Sequence, residues 1–118
     1  MWQIEPTTGW DKDHKHYGKK HPGELAAVLR NLERFFVVLK ASKNSKCVQA
    51  GYLHTESMGI LAIDQKGGGA NLQETRLYVY ADDLSRIVYL IAIGDKASQH
   101  SDVEYSKNFV RQIRGEKE

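Results

Sequence analysis

Apolar and polar positions repeat along this chain with two different periods, and the changes of period mark its elements. Between Glu24 and Lys40, Leu25, Val28, Leu29, Leu32, Phe35, Phe36 and Leu39 recur at steps of three and four, which predicts an amphipathic helix with a broad apolar stripe. That helix is the main core donor, and Arg30, Glu33, Arg34 and Lys40 lie off its stripe as surface residues. Upstream, Trp10 and Tyr17 stand seven apart on one side of a shorter helix that Thr8 is placed to cap. A tight turn at His21 to Gly23 should fold the two helices into an antiparallel hairpin on one face of a sheet. Trp2 to Glu5 reads as a short strand, ended by Pro6, Thr7, Thr8 and Gly9.

Past the polar loop 41–46 the period falls to two. Gly59 to Gln65 reads as a strand, with 51–57 before it irregular and Lys66 to Gly69 turning the chain into the next strand. From Thr75 to Tyr80, Leu77 and Val79 share one side while Arg76, Tyr78 and Tyr80 share the other, so Arg76 should point to a polar face. After a turn at Ala81 to Ser85, Arg86 to Ile93 is apolar on both sides and reads as a central strand. Gly94 and Asp95 stop it, which holds Lys96 at a strand end. Ser98 or Ser101 can cap a last helix carrying Val103, Phe109, Val110 and Ile113, with Gly115 ending it beside the sheet or over its edge. The elements predict one α+β domain over residues 1–118: an N-terminal strand and helical hairpin on a small antiparallel sheet, then a C-terminal helix.

Composition narrows the function classes. With 118 residues, of which 41% are hydrophobic and 27% charged, there is room for one modest core. The lone Cys47 has no intrachain disulfide partner, no apolar run approaches the length of a membrane span, and the first residues lack signal-peptide character, so a cytoplasmic protein without membrane contact is expected. Net charge is only +2, yet residues 1–46 hold nine Lys/Arg against five Asp/Glu, while residues 47–118 hold eight against ten. A polyanion on one face fits this asymmetry better than autonomous nucleic-acid binding does. The first helix concentrates Lys12, Lys15, Lys19 and Lys20 with His14, His16 and His21, either a phosphate-contacting face or a plain solvated one. His14 and His16, two apart, do not share a helical face, and no metal site is expected.

The series TRLYVY, a polar turn, RIVYLIAI and then GDKASQHSDVEYSK resembles the RelE/ParE superfamily of type II toxin–antitoxin toxins, particularly its RelE and HigB-like branches. The resemblance implies the same order of a first strand, a helical hairpin and an antiparallel sheet. It also implies cleavage of mRNA in the ribosomal A site without a cofactor, and neutralisation by a cognate antitoxin. By this likeness Arg76 matches the arginine of the RelE strand, Lys96 a basic residue after the last strand, and Tyr105 the C-terminal tyrosine if a short insertion is allowed. His54 matches a histidine that serves cleavage in HigB-like toxins. Cleavage through the substrate's own 2′-hydroxyl needs a base, a cation at the phosphate and a proton for the leaving oxygen. Arg76, Lys96, and Tyr105 or His100 form the expected set, with Arg86 and Lys66 as reserve RNA contacts beside Lys12, Lys15 and Lys19.

One departure stands out. RelE-type toxins alternate two lysines on the strand before the arginine strand, whereas this chain has Ala62 and Asp64 there and keeps only Lys66. An acid in that groove repels phosphate, and Asp64 is a ready cross-strand ion-pair partner for Arg76. Two further readings follow: a ParE-like binder of DNA gyrase, and a non-catalytic toxin relative that binds only its antitoxin.

Overall fold

The computed structural model describes residues 1–115 and has three helices and a five-stranded mixed sheet. In chain order the elements are β1 (Gln3–Pro6), α1 (Thr8–Lys20), α2 (Pro22–Lys40), β2 (Leu53–Thr55), β3 (Ile60–Asp64), β4 (Thr75–Asp82), β5 (Ile87–Asp95) and α3 (Gln99–Arg114). Thr7, not Thr8, caps α1: its side chain accepts from the Trp10 N–H, and its hydroxyl also donates to the Leu90 carbonyl at 2.8 Å. Pro22 opens α2, where a missing N–H costs nothing, and Gly115 closes α3 in the left-handed conformation at φ 71°.

The strands lie in the order β1-β5-β4-β3-β2. Strands β2 to β5 pair antiparallel, but β1 runs parallel to β5 at the edge, so the sheet is mixed where an antiparallel one was expected. No hairpin links β1 to β5, and the intervening chain is free to set either direction. The segment expected to be irregular contains β2, an edge strand three residues long. Among the described residues no helix is long and apolar enough to cross a membrane.

Both faces of the sheet are covered. Trp10 and Tyr17 of α1 and Leu25, Val28, Leu32, Phe35 and Leu39 of α2 close over Ile63, Leu77 and Val79. On the other face Val110 of α3, with Val103, Phe109 and Ile113 around it, meets Ile60, Ala62, Tyr78 and Tyr80. The side expected to be polar is therefore an interior: Tyr78 is 0% exposed. The apolar positions of α3 all lie on one side of that helix, and burying them requires a full sheet face rather than an edge.

Candidate functional site

Pairing geometry brings distant residues together at one end of this second face. His54 lies opposite Ala62 and Asp64 opposite Arg76, so both pairs share the Tyr78 side of the sheet. His54 Nε2 lies 2.6 Å from Asp64 Oδ2, with the histidine side chain 31% exposed and the aspartate 6%. An Nε2–H bonded to the carboxylate leaves Nδ1 as the ring's acceptor, so Asp64 sets both ring orientation and tautomer. The other carboxylate oxygen accepts the Lys66 backbone N–H at 2.8 Å, and the Lys66 ammonium stands 3.8 Å away while donating to the Gly51 carbonyl. Both Asp64 carboxylate oxygens are thus engaged by neighbouring groups.

Asn31, fully buried within the apolar stripe of α2, fixes this strand end from beneath. Its amide donates to the carbonyls of Asp64 and Lys66, each at 2.9 Å. Arg76 is the cross-strand neighbour of Asp64, yet its Nη1 lies 3.4 Å from Glu56 Oε2, and Glu56 takes the partner role foreseen for Asp64. A cavity of about 410 Å³ is lined by His54, Asp64, Gln65, Lys66, Leu72, Glu74 and Arg76. On the same face of the sheet the Tyr78 hydroxyl and Arg76 Nε are buried without a partner among the described residues. Burial lifts the Tyr78 hydroxyl well above the ordinary tyrosine range, with the Asp102 carboxylate adding to the effect.

The remaining sequence-designated residues fall elsewhere. Lys96 follows directly on the Thr75–Asp95 pair, at the same end of the sheet as Arg76, but it is exposed and does not line the cavity. His100 is exposed on the first turn of α3. Tyr105 lines a second cavity, of about 550 Å³, with Thr8, Gly9, Lys12, Asp13 and Asp102. There α1 and α3 meet so closely that a Cβ on Gly9 would come within 2.7 Å of the Tyr105 hydroxyl. Burial raises the pKa of both Asp13 and Asp102, although Asp13 accepts the Ile93 N–H and Asp102 accepts the Ser98 hydroxyl.

Arg86 sits in the β4–β5 turn, about 20 Å along the strand from Arg76, and stacks over Trp2 at 5.6 Å. Lys12, Lys15 and Lys19 are exposed on α1, a helix packed on the opposite sheet face. The structure therefore unites His54, Lys66 and Arg76 and separates them from the other candidates. Among the described residues no group of three or more His, Cys, Asp or Glu side chains is placed to hold a metal ion.

Glu56 and Asn31 were missed in the sequence reading. Asn31 did carry a signal, a polar residue at a core-facing step of an otherwise apolar stripe; Glu56 carried none until β2 was placed. Comparison of the chain with models of known families, with curated proteins and with solved structures finds no match.

Proposed function

We propose that this chain is a metal-independent endoribonuclease of the RelE/ParE kind, the toxin of a type II pair that cuts mRNA and is silenced by an antitoxin covering the cavity. The observation supporting this reading is the 2.6 Å contact of His54 with Asp64 in the cavity that also holds Arg76 and Lys66. His54 Nδ1 takes the proton of the RNA 2′-hydroxyl, and the oxygen attacks the adjacent phosphorus. The bond to the 5′ oxygen breaks, leaving a 2′,3′-cyclic phosphate and a 5′-hydroxyl whose proton comes from the Lys66 ammonium or from water. Arg76 neutralises the charge that builds on the phosphate, exchanging its Glu56 partner for the substrate.

A second reading, a non-catalytic binder, draws on the same Glu56 contact, because an arginine already paired in the free protein can serve recognition alone. Primer extension on mRNA in a translating extract separates the two. The wild-type chain should give discrete cuts with cyclic-phosphate ends, and H54A or R76A should lose on the order of a hundredfold in rate. An uncut message, with or without ribosomes, removes the nuclease reading. Tight binding of a small neighbouring-gene protein would then favour the binder, and DNA damage with intact mRNA would point to gyrase.

A further inference from the structure

Helix α1 contributes nothing to the cavity of His54, Lys66 and Arg76, yet it carries a cationic surface of its own, whose first lysine, Lys12, also borders the cavity between α1 and α3. At 3.6 residues per turn Lys12, Lys15 and Lys19 fall within about 60° of one another, roughly half a turn from the buried Trp10 and Tyr17, and span about 10 Å of helix axis. All three are exposed. Among the described residues no carboxylate oxygen lies within 4.0 Å of their ammonium groups. Of the two acids on the helix, Asp13 is turned inward to the Ile93 N–H at 2.9 Å, and only Asp11 stays on the surface at the stripe's N-terminal border.

Among the described residues the large exposed apolar side chains are Met1, Ile4, Val37, Val38, Leu84 and Tyr105, and none of them belongs to α1. A docking face for an acidic protein is expected to offer an aromatic or aliphatic anchor at its centre. A face made of regularly spaced cations and no anchor suits a phosphate backbone, where charge supplies the affinity and no pocket is needed.

We infer that the outer face of α1 is a docking surface for the phosphate backbone of folded RNA, separate from the cavity on the other side of the sheet. The choice of RNA over DNA rests on the nuclease reading above; the attraction for phosphate does not. A single strand in the cavity and a helical segment on α1 would be two parts of one large RNA.

The test measures binding of a fluorescent RNA duplex to the full chain carrying H54A, which cannot cut it, across a series of salt concentrations. Exchange of Lys12, Lys15 and Lys19 for Gln keeps helix propensity, and should lower the slope of log affinity against log salt by about 3 and weaken binding on the order of tenfold or more. The charge-matched variant K40Q/K43Q/K46Q should leave the slope near that of the parent.

An unchanged slope in the α1 variant, or an equal loss in the control, would overturn the inference. So would displacement of the RNA by polyglutamate at equal charge, or equal affinity for a DNA duplex. If circular dichroism shows that the triple variant has lost helix, K15Q alone, with an expected drop in slope of about 1, carries the test. Intact duplex binding by a wild-type chain that cuts nothing would count against the nuclease reading and leave the α1 face standing.

Discussion

Beneath α1 and α2 the sheet is closed by apolar side chains and, among the described residues, two buried polar ones that have partners: Asn31, whose amide donates to two carbonyls, and Thr75, whose hydroxyl donates to the Gln73 carbonyl. Beneath α3 the same sheet encloses the Tyr78 hydroxyl, the Ser106 hydroxyl and Arg76 Nε, none with a partner among the described residues. The first face has a lesser exception in the Trp2 indole N–H, at the edge under Arg86. An unpaired buried polar group costs about 1–3 kcal/mol, so the α3 layer is held less firmly for its size than the helical hairpin. The contrast locates where stability has yielded to something else: Arg76, whose Nε lacks a partner, lines the candidate site, and Tyr78 is its neighbour but one on the same strand face.

The sharpest way to break that contrast is to cut into both faces. Phe35→Ala, in the fully buried stripe of α2, should cost about 3–5 kcal/mol in urea unfolding. Asn31→Ala strips two carbonyls of their donor and should cost about 2–4 kcal/mol, an effect that also loosens the strand end carrying Asp64. Tyr78→Phe, by contrast, should change stability by no more than about 1 kcal/mol and in the stabilising direction. A loss above about 2 kcal/mol would mean that the hydroxyl has a partner after all, and the two faces would then be alike.

The smallest effect is one of pH. Burial raises the Asp102 pKa above its ordinary 3.8, so its contribution to stability is fully present below that value and is lost as pH rises through the raised one. Asp102→Asn removes the titration. Its stability relative to the wild type should therefore climb as pH rises above 3.8 and then level off. A flat difference between pH 3 and pH 7 would show that the carboxylate keeps its water.

The parts of the fold set by local period could be read from the chain. The stripe of α2, the alternation of β4 and the glycine stop of α3 each depend on a few adjacent residues. What could not be read depends on partners far away. Strand β2 is three residues long and owes its existence to β3, and the parallel setting of β1 owes nothing to its own four residues. Arg76 was singled out from its strand, but its neighbour was misjudged because a cross-strand register does not fix where a long side chain turns. His54 and Lys66 joined Arg76 only once β2 was in place, whereas Tyr105, on the second turn of α3, was carried to the α1 border.

The edge pairing of β1 with β5 bears on how the protein is made. Gln3 to Pro6 meet Ile87 to Leu90, and Thr7 bonds the Leu90 carbonyl 83 positions away. During synthesis the first strand leaves the ribosome long before its partner exists, and loop closure over that distance is slow compared with the forming of helices. Any truncation ahead of Ile87 strands the N-terminus with no backbone to pair with, so the nascent chain completes its sheet only after the residues up to Leu90 have been made.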